Sequence, residues 1–179
     1  LDAGGTNGRE DLKHGTTFVT LGRDVNGMPT SDIEHQAGFW MSDAMLQLWL
    51  RLLALHIAEP TQEERLAAEI RDEWLLASRH GFVGCVPHGL EEATATPEGL
   101  ELVKRAVASL SDALKFMSVS LAFQTLNLMC FSVEWGADVE VDDLRDVAVA
   151  FDDLLNFKVE STVSTRRPYP GSRNRSSIH

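Results

Sequence analysis

Between residues 42 and 58, the polar residues Asp43, Gln47 and Arg51 recur every fourth position in an otherwise apolar run, which predicts a helix. Leu46, Trp49, Leu50, Leu53 and Ile57 fall on one face, and Leu48, Leu52 and Leu55 widen it. A helix apolar over so much of its circumference is buried on several sides, which places it at the centre of the molecule. Pro60 stops it, and Thr61 with Glu64 has capping-box spacing for a second helix running to about Arg79, before Gly81. Leu66, Ile70, Trp74 and Ala77 give that helix one buried stripe.

Thr96-Pro97 reads as N-cap and first position of a third helix, in which Leu100, Val103, Val107, Leu110, Leu114 and Met117 alternate three and four residues apart. Residues 118–135 suit helix or strand. A helix from about Thr125 to Trp135 is favoured because Leu126, Met129, Cys130 and Val133 share a face. Asp142 is expected to cap a final helix that turns Leu144, Val147, Phe151 and Leu154 inward. Thr16 to Leu21 is β-branched and apolar enough for a strand, followed by a turn at Asn26-Gly27. Ser31 and Glu34 have capping-box spacing for a helical segment that Gly38 weakens. The alternation Phe157, Val159, Ser161, Val163 predicts a second strand, paired with 16–21.

The expected fold is therefore mainly α: a single helical bundle of about five helices with a minor β element from the N- and C-terminal segments. Its core should contain Leu46, Trp49, Leu53, Ile70, Trp74, Val107, Leu110, Leu114, Val147 and Phe151. Residues 1–15 read as a flexible arm, 16–164 as the helical domain and 165–179 as a basic tail or linker. A length of 179 residues suits one domain, and 44% hydrophobic with 24% charged residues is globular composition rather than disorder. The most apolar stretch, Phe39 to Ile57, carries Asp43, Gln47, Arg51 and His56, which argues against a membrane span.

Charge narrows the functional classes. The net charge is -11, and all 27 Asp and Glu precede residue 161, whereas the segment beyond it carries Arg166, Arg167, Arg173 and Arg175. So acidic a body repels phosphate backbones, which disfavours direct nucleic-acid binding and favours a basic partner. Cys85 and Cys130 are the only cysteines, too few for a disulfide scaffold, and together with the lack of a visible leader they suggest a cytoplasmic protein.

Several motifs carry candidate chemistry. Asp2-Ala3-Gly4-Gly5-Thr6-Asn7 resembles the phosphate-binding turn of sugar kinases of the actin-like ATPase superfamily. That turn works between two strands of a two-lobed fold, and no apolar strand precedes it here, so it is read as chance. Arg173-Asn174 with His179 resembles the spacing of the helical HEPN ribonucleases, but in a Gly- and Ser-rich setting unlike the helix that chemistry needs. His80, Cys85 and His88 share one glycine-rich loop. Zinc usually takes four ligands, so Cys130 and His56 would have to complete a site, and a small hydrolase or metal-dependent enzyme on this loop is the alternative function. Arg71, between Ile70 and Trp74, is expected to be half-buried and paired with a carboxylate. From Glu134 to Glu160 nine acids face only Arg145 and Lys158. Helix capping explains one or two of them.

A small, acidic, mostly helical chain without a catalytic constellation is similar in type to the immunity proteins of bacterial toxin systems, which bind and block a cognate toxin. The stretch from Trp74-Leu75-Leu76-Ala77-Ser78-Arg79 through Gly84-Cys85-Val86-Pro87 looks like a family signature without an attached function. The resemblance implies a non-catalytic inhibitor, with no cofactor or metal, that neutralises a basic protein toxin. Its partner-binding surface would be Asp138, Glu140, Asp142, Asp143 and Asp146, with an exposed Trp135 as anchor. An adaptor that assembles several proteins is the remaining class.

Overall fold

Ser42 closes a strand and opens a helix with no residue between them. It is the last residue of β2 (Gly38–Ser42), and its side chain accepts a hydrogen bond from the Met45 amide as N-cap of α1 (Asp43–His56). β2 pairs antiparallel with β1 (Thr16–Thr20), in a register that sets Phe18 opposite Trp40 and Val19 opposite Phe39. Strand alternation sends Thr17, Val19, Phe39 and Met41 into the interior, while Phe18 and Trp40 stack on the outer face with ring centroids 5.5 Å apart. The computed structural model describes residues 15–58, 64–82, 84–129 and 134–168. The arm to residue 14, the Asp2–Asn7 turn, Thr61, Cys130, Val133 and the Arg173–His179 motif lie outside them.

The strand pairing differs from the expected one. Phe157 has φ +56° and ends the last helix as a left-handed cap, so it cannot begin an extended strand. Its ring lies under the Arg23 guanidinium, 5.4 Å from the centroid. The chain then reaches β2 rather than β1. Gly38 N–H donates to Ser161 O, Ser161 Oγ donates to Gly38 O, and Trp40 N–H donates to Arg167 O, so residues 161–168 cover the outer edge of β2. Gly38, which weakens a helix, is instead a close-approach residue: a Cβ there would strike the Val19 carbonyl. Between the strands the Asn26-Gly27 turn forms as expected, closed by Asp24 Oδ1 accepting the Asn26 and Met28 amides. The helical segment after it shrinks to a 3₁₀ turn, Ile33–His35, capped by Asp32 and not by Ser31.

The α-helices among the described residues are α1, α2 (Arg65–Ala77), the single-turn α3 (Leu90–Ala93), α4 (Pro97–Phe116), α5 (Phe123–Leu128) and α6 (Val141–Leu155). α1 packs against α2, α4 and both strands, and α4 also packs against α6. All ten expected core residues are buried, and the rings of Trp49 on α1 and Phe151 on α6 meet at a tilt, with centroids 5.4 Å apart. α4 follows its sequence signals closely, with the Thr96 hydroxyl accepting the Gly99 amide. Local corrections concern phase and ends. In α2 it is Ala67 that joins Ile70, Trp74 and Ala77 in the interior, while Leu66 is exposed, and the helix ends at Ser78 before reaching Gly81. α5 stops at Leu128, so Trp135 is not helical. Glu140 occupies the N-cap position of α6, and Asp142 lies in its first turn, paired with Arg145. Arg71 is half-buried, but its Nε has no hydrogen-bond partner and no carboxylate among the described residues pairs with it.

Candidate functional site

The stripe of polar residues on α1 faces inward, not outward. Asp43 is 2% exposed and Gln47 fully buried, because the loop following α2 folds back onto them. Thr17 Oγ1 donates to Asp43 Oδ1 at 2.7 Å, and the Gly84 amide donates to Oδ2 at 2.6 Å. The same threonine oxygen accepts the Val86 amide, while Gln47 Nε2 donates to the carbonyls of Ala77 and His80. Gly15 packs so tightly here that a Cβ would collide with Asp43 and Gly84. Gly84 itself has φ +78°, a conformation that lets its amide reach the carboxyl group. Further along, Trp74 Nε1 donates to His88 O.

The pinned loop roofs a groove of about 860 Å³, bordered by the outer-face aromatics Phe18 and Trp40, by Phe82 and by the carboxylates Glu73, Glu91 and Glu92. His80, Cys85 and His88 all border it as well, so the structure brings the loop's candidate residues to one cavity. Their roles differ. His88 spends both ring nitrogens on backbone groups: Nδ1 lies 3.2 Å from the Leu90 amide that donates to it, and Nε2 lies 3.3 Å from Phe18 O. That pairing makes Nε2 the protonated nitrogen and leaves neither position open for a metal or a substrate proton. Cys85 is an exposed free thiol, and His80 is exposed with its ring 6.1 Å from that of Phe82. His56 binds Ser109 Oγ at the far end of α1, roughly 20 Å along the helix from Asp43 at 1.5 Å per residue. Among the described residues no three His, Cys, Asp or Glu side chains gather in a metal-binding arrangement.

Burial lowers the His88 pKa, and the Phe18 carbonyl and the charge of Glu92 oppose it only in part. The residue keeps intermediate exposure overall, yet the surroundings of its ring are dense enough for desolvation to dominate. The folded state therefore holds this proton less tightly than the unfolded chain. The associated stability is complete above the unfolded histidine value, about 6.5, and is lost as pH falls through the window below it. Chemical denaturation at a series of pH values should show this acid-side loss in the wild type. A His88→Gln variant should lack that component; an unchanged pH profile in the variant would contradict the assignment.

The acidic region is organised by a different set of contacts. Segment 117–121 is held to segment 138–142 by paired backbone bonds between Leu121 and Val139, 2.8 and 2.9 Å long. Asp138 Oδ1 accepts the Phe123 amide at the start of α5. Arg145 meets Asp142 at 2.7 Å and donates to the carbonyls of Leu114 and Met117, closing the C-terminal end of α4. Asp138 and Asp142 are thus tied to the fold by these contacts, Glu140 is exposed, and Asp143 and Asp146 are half-buried. Trp135 corrects the expectation more sharply. It is partly buried against the core, and its backbone is clamped by the Asn127 side chain through two bonds, of 2.7 and 3.0 Å, so it is no exposed anchor.

Phe116, 89% exposed, and Val119, 70% exposed, lie on the segment that Arg145 and Val139 hold beside the acids. The sequence carried a signal for Phe116: it falls out of phase with the Leu110, Leu114, Met117 seam and so belongs on the outer face of α4. No helix among the described residues is long and apolar enough to cross a membrane. Comparison with protein-family models, curated proteins and solved structures gave no match.

Proposed function

We propose that this protein is a non-catalytic inhibitor of the immunity type, which neutralises a basic protein toxin by covering it with the surface around the start of α6. The observation that carries the reading is the juxtaposition of bare Phe116 and Val119 with Asp138, Glu140 and Asp142. Binding energy concentrates in a few buried apolar anchors, and complementary charge around them speeds encounter and sets partner choice. Phe116 and Val119 together, rimmed by carboxylates, form the kind of exposed apolar surface that a partner can cover. The net charge of -11 selects a basic partner. An inhibitor acts by occlusion and needs no reacting group of its own.

The test begins with co-purification of the product of the adjacent gene and then measures binding kinetics at several salt concentrations. Glu140→Lys with Asp142→Lys should slow association about tenfold at low salt and flatten its salt dependence. Phe116→Ser should leave association nearly intact and speed dissociation. Unchanged kinetics in both variants would reduce the acidic face to a solvated surface.

A further inference from the structure

The groove beneath the 80–89 loop has a composition unlike that of a site for an anionic or purely apolar ligand. Three carboxylates border it, Glu73, Glu91 and Glu92, and no Lys or Arg does so among the described residues. Its aromatic side is the half-buried pair Phe18 and Trp40, whose rings meet at 5.5 Å and both line the groove, and aromatic rings attract cations. The volume, about 860 Å³, lies in the range of cavities that hold a specific ligand. Asp43, Gln47 and Trp74 hold the described parts of the loop by hydrogen bonds at Gly84, His80 and His88.

We infer that this groove is a second recognition site, which seats a short segment of a basic protein carrying an arginine or lysine beside an apolar side chain. The cation lies over Phe18 and Trp40 within reach of Glu91 or Glu92, and the apolar neighbour packs toward Phe82. Charge complementarity selects this occupant: a carboxylate-bearing segment would meet three like charges, and an uncharged apolar one would leave those charges without counterions. The inference rests on the basic-partner reading above and extends it, since it gives the partner a foothold separate from the face around Phe116.

The probe is a fluorescein-labelled hexapeptide of alternating arginine and leucine, compared by anisotropy with its glutamate and leucine counterpart. The arginine peptide should bind and the glutamate peptide should not at concentrations up to about 1 mM. Glu73→Gln with Glu91→Gln and Glu92→Gln should weaken the arginine peptide about tenfold, and Trp40→Leu should weaken it more than Trp40→Phe, which keeps an aromatic face. The Glu140→Lys, Asp142→Lys variant should bind the peptide as the wild type does, which separates the two readings. Equal binding of both peptides, or indifference of the arginine peptide to the triple glutamine change, overturns the groove assignment and leaves the α6 face untouched. Loss of peptide binding in the α6-face variant with retention in the triple variant also overturns it, because the peptide would then be reading the other surface.

Discussion

Replacing Asp43 with alanine is expected to lower the free energy of unfolding by about 3 to 5 kcal/mol, the largest effect of any single polar substitution among the described residues. The side chain is 2% exposed and accepts from both Thr17 and Gly84, so truncation strands two buried donors away from water. Its position in the first turn of α1 adds a favourable interaction with the helix dipole. Asp43→Asn should cost nearly as much, because one of its two terminal atoms becomes a donor facing a donor. Thr17→Val should cost about 1 to 2 kcal/mol, and the double variant with Asp43→Ala should lose less than the sum by at least about 0.5 kcal/mol. Urea denaturation of the four proteins provides the cycle. Strict additivity would mean that the two side chains do not act as one latch.

Phe151→Ala is expected to cost about 3 to 5 kcal/mol for a different reason, the cavity it leaves. Its ring touches Phe39 of β2 at 5.7 Å and Trp49 of α1 at 5.4 Å, so one side chain joins the sheet, the central helix and α6. Phe116→Ala is the internal control: at 89% exposure it should change stability by less than about 0.5 kcal/mol. Similar losses in the two variants, measured by thermal or urea unfolding, would contradict the burial seen here.

How much of this was legible in the sequence depends on how local each determinant is. α4 was readable from end to end, since the Thr96 cap, Pro97 and the six-position seam all act within a few residues. β2 was hidden because Phe39, Trp40 and Met41 run directly into the apolar face of α1, and no turn residue marks the change of period. Asp43 and Gln47 repeat at helical spacing, as a solvated stripe would, and what buries them is a loop some forty residues further on. The acidic candidates divide on the same principle. Composition located the cluster, but Asp138 serves an amide fifteen residues earlier and Arg145 serves carbonyls on another helix, relations that spacing does not express. Trp135 reads as exposed in the sequence because its spacing carries no sign that the Asn127 side chain clamps its backbone or that it packs against the core.

The uninterrupted junction at Ser42 has a consequence for how the hairpin finds its alignment. A one-residue slip of β2 against β1 would turn Phe39 and Met41 to the outside and Trp40 to the inside. With no linker to absorb the change, α1 would have to roll by about 100° to follow, the rotation of one residue in an α-helix. That roll would carry Asp43 away from Thr17 and Gly84 and drag the buried leucines of α1 out of register with α2 and α4. Misalignment is therefore penalised in the sheet and in the helix layer together, so the strand and the helix proofread each other during folding.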